Sequence, residues 1–134
     1  MSVTYESGFT NGIADAALAL IDNGSTGSGS YGCFEASNDD IVASIQFAAP
    51  CGVVTGDTID WDVDPELQDT DAAGGTIEHF SVYDNSGAFE AQSGKQFEVS
   101  CQTGAGTNVV VVSSLTVGAG DTVTLSSASW QFTG

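Results

Sequence analysis

Ile59-Asp60-Trp61-Asp62-Val63-Asp64 alternates a large apolar residue with a carboxylate at every step. A strand turns successive side chains to opposite faces, so this run buries Ile59, Trp61 and Val63 and leaves a row of aspartates in water. Period-two alternation recurs on both sides of it. Ile41, Ala43, Ile45 and Phe47 alternate with smaller or polar residues before Pro50, and Phe97, Val99 and Cys101 stand opposite Glu98 and Ser100. Residues 31–36 read as a short strand, and residues 76–83 as another that leads into the turn Asp84-Asn85-Ser86-Gly87. Residues 109–112 are apolar on both parities, which predicts a central strand covered on two sides. Residues 118–121 read as a tight turn. In the last strand Val123 and Leu125 share one parity while Ala128, Trp130 and Phe132 share the other, so a bulge is expected near Ser126-Ser127.

One helix is expected, at the N-terminus. Phe9, Ile13, Ala16, Ala17 and Leu20 fall three and four apart, which predicts a single apolar face packed on the sheet. Ser7 is placed to cap its start, and Asn23-Gly24 to end it. The reading is therefore an all-β fold: an antiparallel β-sandwich or barrel-like domain of seven to eight strands with one N-terminal helix. Residues 1–134 form one domain in this reading, with a helix segment at 1–24 and a Gly/Ser loop at 25–30. A chain of this length builds one hydrophobic core rather than two.

Charge narrows the possible partners. Eighteen acidic residues face a single basic one, Lys95, for a formal charge of −17. Binding to phosphate backbones or anionic lipid surfaces depends on Lys and Arg, so nucleic acid and membrane surfaces are excluded as ligands. Surface carboxylates in such excess repel one another unless salt screens them, which suits a saline medium. No apolar stretch is long enough to span a bilayer. The start at Met1-Ser2-Val3 has no signal-peptide pattern and reads as a cytoplasmic origin. In that compartment Cys33, Cys51 and Cys101, an odd number without CxxC spacing, are expected as buried reduced thiols, although one disulfide among them stays open.

No residue set reads as catalytic. Asp60, Asp62 and Asp64 have the one-three-five spacing of a calcium loop, but Pro65 stands where that loop needs glycine and its closing glutamate is missing. His79, the one histidine, has no nucleophile elbow near it and is expected to be structural. One histidine and three scattered cysteines make no zinc spacing, so neither a metal nor a cofactor is expected. Trp61 and Trp130 could offer a sugar-stacking platform, but on alternating strands they read as core.

Two phrases carry a resemblance. Gly75-Thr76-Ile77-Glu78-His79-Phe80-Ser81-Val82-Tyr83-Asp84-Asn85-Ser86-Gly87 is followed by Ser114-Leu115-Thr116-Val117-Gly118-Ala119-Gly120-Asp121-Thr122-Val123-Thr124-Leu125. Together they resemble a family of small structural proteins of tailed bacteriophages, over about two thirds of the chain. That resemblance implies a non-enzymatic virion protein. Within virions, the charge and the small domain without a stalk favour a capsid decoration (cement) protein, made in the host cytoplasm and placed on the outer shell. The expected partners are the major capsid protein and further copies of the chain, as a homotrimer that gains three shell contacts together. Residues before Phe9, or the loop from Asn23 to Ser30, would then reach onto the shell. The alternatives are a minor tail or fibre protein, and a carbohydrate-binding or adhesion module of a halophilic microbe.

Charge repulsion of this size makes a direct prediction. The Debye length is about 8 Å at physiological ionic strength and about 3 Å at 1 M. The melting temperature is expected to rise as NaCl increases from low to seawater concentration, and calcium is expected to add little beyond its ionic strength. A large saturable shift at micromolar calcium would instead mark Asp60, Asp62 and Asp64 as a specific site.

Overall fold

Alternating sequence becomes paired strand at 41–46, 58–61 and 95–102. The computed structural model describes residues 4, 6–22, 30–48, 50–63, 66–84, 94–104, 109–125 and 129–131. These residues are mostly β, with one helix and a curled mixed sheet shaped like half a barrel. In chain order the elements are α1 (Ser7–Asp22), β1 (Tyr31–Glu35), β2 (Ile41–Gln46), β3 (Gly52–Thr55), β4 (Thr58–Trp61), β5 (Leu67–Asp69), β6 (Gly75–Thr76), β7 (His79–Tyr83), β8 (Lys95–Gln102), β9 (Val110–Val111), β10 (Thr116–Val117), β11 (Val123–Leu125) and β12 (Ser129–Gln131). The main sheet has the order β2-β1-β7-β8-β9, and β12-β4-β3 form a second. The pairs β10-β6 and β11-β5 complete the pairing.

Two expectations about strands are corrected. The pairing is not purely antiparallel, because β9 runs parallel to β8, with Cys101 opposite Val110 and Gln102 opposite Val111. Nor is 109–112 a central strand. β9 ends the order of the main sheet, and only Val110 and Val112 point inward while Val111 is 48% exposed. An apolar run reads alike at a sheet's centre and at its edge, because periodicity does not report how many neighbours a strand has. The turn at 118–121 forms as expected: Asp121 N–H donates to the Gly118 carbonyl, and Gly120 takes the positive φ. The proposed turn residues Asn85, Ser86 and Gly87, the bulge at Ser126-Ser127 and the loop at 23–29 lie outside the described residues.

The core lies on one face of the main sheet. Phe34, Phe80, Val82, Ala43 and Ile45 point into it, joined by Ile59 and Trp61 from β4. Phe34 and Phe80 meet edge to face with centroids 5.0 Å apart, and Trp61 packs against Phe47. Gly32 makes this possible, since a Cβ there would come within 2.3 Å of the Phe80 ring. The free edge of β2 is blunted by Asp69, whose Oδ2 accepts the Ser44 N–H at 2.9 Å. An edge with its donors already engaged is a poor template for pairing with another chain.

α1 lies along the second sheet, against β3 and β4. At its C-terminal end Asp22 Oδ1 accepts the buried Cys51 N–H at 2.9 Å, and nearer its start Asn11 lies beside Gly56. From Asn11 to Asp22 a helix rises about 16 Å, and from Cys51 to Gly56 a strand advances about 16 Å, so the helix runs beside β3 in the opposite direction. Its start is one residue earlier than expected: the Glu6 carbonyl, not Ser7, accepts the Phe9 and Thr10 N–H groups.

The larger correction concerns which face of α1 is buried. The sheet covers Thr10, Ala14 and Ile21, with Ala17 and Leu18 partly covered. Phe9 is 57% exposed, Ile13 37% and Leu20 62%, and Ala16 is exposed with them. At about 100° per residue the apolar arc of this helix is roughly 200° wide, and the sheet occupies only its smaller-residue half. Small side chains let the helix approach the strands closely. The bulky stripe is left outward.

Candidate functional site

Register alone assembles the most unusual group of side chains in the molecule. Glu35 of β1 is directly opposite His79 of β7, Cys33 is opposite Ser81, and Tyr31 is opposite Tyr83. On the other side of β7, Ser81 faces Glu98 and Tyr83 faces Lys95, with a register shift between Val82 and Tyr83. That bulge accommodates Gln96 as the extra residue, so Lys95 and Glu98 fall on one face although three positions apart. The face is the one turned away from Phe34 and Phe80. Asp39 arrives from the turn between β1 and β2, held in the left-handed region at φ 67°.

Glu35 is the centre, with no exposed side-chain surface. Its Oε2 accepts the Tyr83 hydroxyl at 2.8 Å. Its Oε1 lies 3.2 Å from Lys95 Nζ and 3.2 Å from His79 Nε2. Lys95 also meets Glu98 at 3.1 Å, and its ammonium sits 5.5 Å from the centre of the Tyr83 ring, in cation–π range. His79 Nε2 lies 3.1 Å from Asp39 and 3.5 Å from Glu98. The only lysine and the only histidine of the chain therefore converge on one buried carboxylate. Between Glu35 and Tyr83 along the strands stand Cys33 and Ser81, both small, which leaves the phenol room to reach the carboxylate.

The electrostatics follow from burial and from Glu35. Desolvation raises the Cys33 thiol to about 12, and the Glu35 charge adds to the rise. Desolvation also raises Tyr83, assisted by its hydrogen bond to Glu35. For Lys95, desolvation acts downward, but the hydrogen bonds to Glu98 and Glu35 outweigh it and the net shift is upward. These protonation states leave a neutral thiol, a neutral phenol and a charged ammonium. None of them is a nucleophile at neutral pH.

His79 opens β7 rather than lying in its middle, and its Nε2 faces carboxylates; Cys101 lies on the core side of the sheet. Asp60 and Asp62 are exposed on β4 and just beyond it, while Asp64 lies outside the described residues. Trp61 is 5% exposed within the core and offers no stacking surface. The backbone of Trp130 pairs with Ile59 in the second sheet. Cys33, Cys51 and Cys101 are all free and buried. Spacing in the sequence contains no metal motif, yet Glu35, Asp39 and His79 place one donor atom each within 4.8 Å of one another. A signal for this cluster was present in the sequence: a chain that keeps one lysine and one histidine among eighteen acids has few places where those bases are needed.

Elsewhere, a cleft of about 520 Å³ opens beside β9 and β11, lined by Val111, Ser114, Thr116, Asp121 and Thr124 among others. Among the described residues that line it, Asp121 is the one titratable group. The chain matches no family model, no curated protein and no solved structure.

The raised groups set an alkaline limit. The folded chain holds the Cys33 and Cys101 protons to about 12, whereas the unfolded chain releases them near 9. Stability is therefore complete below pH 9 and falls as pH rises through that window, by about 1.4 kcal/mol per pH unit for each thiol. Lys95 adds a further loss above 10.5, where the unfolded chain releases the proton that the folded ammonium keeps. Urea unfolding between pH 7 and pH 11 should show this decline, and Cys101→Ala should flatten it by about one proton's worth.

Proposed function

We propose that this protein is a non-enzymatic virion structural protein, a decoration protein on the outer capsid of a tailed phage that lives in a saline medium. The observation that carries the reading is the outward stripe of α1. Phe9, Ile13, Ala16 and Leu20 lie within roughly 60° of helix arc, and no charged residue falls in that arc. Isolated exposed apolar residues are ordinary, but an aligned row of three large ones on a surface this acidic marks a contact face.

The same stripe suits self-association. Two protomers of charge −17 repel wherever their carboxylates meet, so their seam belongs on uncharged surface. A standard stable interface removes about 800 Å² per partner, a large share of so small a domain. A trimer resolves that difficulty on a capsid, because three linked copies engage three equivalent shell edges at high effective concentration. The resemblance of the phrases at 75–87 and 114–125 to tailed-phage structural proteins supplies the virion, and the charge favours the outside over packaged DNA. The finer architecture in this reading is a β-sandwich or barrel-like unit, with the main sheet and the β12-β4-β3 sheet as its two walls. The major capsid protein is the other partner.

Cryo-electron microscopy of the phage particle tests this. Density at three-fold positions in hundreds of copies is the expected result, and Leu20→Glu is expected to abolish both the trimer in sedimentation and the shell occupancy. A few copies confined to the tail would place the protein in the tail instead. A monomer at all concentrations, with no density on the particle, would overturn the reading.

A further inference from the structure

The Glu35 cluster holds a buried nitrogen whose surroundings point to a ligand. His79 Nε2 is shielded from solvent and makes no hydrogen bond, although carboxylate oxygens of Asp39, Glu35 and Glu98 lie 3.1, 3.2 and 3.5 Å away. A nitrogen within 3.5 Å of three carboxylates and hydrogen-bonded to none of them suits a ligand that the oxygens share.

The spacing says what that is. Bonds of about 2.0–2.2 Å from a metal ion to nitrogen and oxygen donors set neighbouring donor atoms roughly 2.8–3.5 Å apart, by the geometry of an octahedron or tetrahedron. The distances from His79 Nε2 fall in that range, and the donor atoms of Glu35, Asp39 and His79 form one compact group. Charge agrees. Glu35, Asp39 and Glu98 carry three negative charges and Lys95 one positive, so with a neutral imidazole a dication brings the cluster to zero. Lys95 lies nearer Glu35 and Glu98 than Asp39, which leaves the Asp39–His79 side for the ion.

We propose that Glu35 Oε1, Asp39 Oδ1 and His79 Nε2 form a binding site for one divalent first-row metal ion of the zinc type, with water in the remaining positions. An imidazole ligand selects zinc and its neighbours over magnesium and calcium, which prefer all-oxygen sites. Lys95, paired with Glu98, stays beside the ion as a second-sphere charge. The ion would tie β1, the β1–β2 turn and β7 together, a structural role consistent with any location of the protein.

The test is titration of the full-length protein with zinc chloride by calorimetry, in NaCl of seawater strength so that diffuse attraction to the acidic surface is screened. Cobalt(II) absorption provides a second readout. The expected result is one zinc per chain, a raised melting temperature, and a cobalt spectrum without a sulfur charge-transfer band. His79→Asn should abolish the saturable binding. Should that variant fail to fold, Asp39→Asn serves, because asparagine accepts the positive φ of that position and the residue is half exposed; it should weaken binding while the fold is kept. Displacement by excess magnesium, binding unchanged in Asp39→Asn, or no saturable binding at all would overturn the site and leave a closed ion cluster in its place.

Discussion

A fully buried carboxylate in a chain with almost no bases is the constraint around which the main sheet is arranged. Removing an ionised group from water costs several kcal/mol unless partners compensate. Glu35 is compensated by the Tyr83 hydroxyl from the adjacent strand β7 and by Lys95 from β8 beyond it, both placed by strand register. A one-residue slip of β7 would turn Tyr83 to the core and bring Phe80 or Val82 to the charge, and a slip of β8 would turn Lys95 away. The cluster therefore specifies register at the same place where the opposite face, through Gly32 and Phe80, specifies packing. Elsewhere acidic residues act singly as acceptors: Asp22 receives Cys51 N–H and Asp69 receives Ser44 N–H, each joining two elements with no base available.

A second constraint lies on α1. The helix is too broadly apolar for one sheet to satisfy, and the sheet takes the side with Thr10 and Ala14. The bulk of Phe9, Ile13 and Leu20 is left facing outward. One face of the helix thus packs on the sheet, and the opposite, bulkier face is the one for which self-association is proposed. The Glu35 cluster lies on the main sheet, on the face turned away from Phe34 and Phe80, apart from this helix.

Strand existence was legible wherever one face is wet. The run at 59–64 announces β4 because every second residue is charged, and Ile59 and Trp61 are buried as the alternation requires. Legibility failed where pattern does not encode neighbours. Residues 109–112 have no wet face to betray an edge, and the apolar arc of α1 contains two possible buried faces with the more hydrophobic one outward. The Glu35 cluster was invisible to motif reading for a different reason. Its members are separated by up to 63 positions, counting from Glu35 to Glu98, and only strand pairing joins them. A short strand at 31–36 carries no hint that its glutamate is the pivot. The scarcity of Lys95 and His79 is the nearest thing to a hint.

The most direct test is a double-mutant cycle between Glu35 and Lys95, read by urea unfolding at neutral pH with Glu35→Gln, Lys95→Met and the double variant. Breaking a buried pair from one side costs about 3–5 kcal/mol, because it strands the other charge. The predicted result is that Lys95→Met alone falls in that range, and that the double variant loses clearly less than the sum of the singles. Two small effects that add to within about 0.5 kcal/mol would contradict the central place given to Glu35.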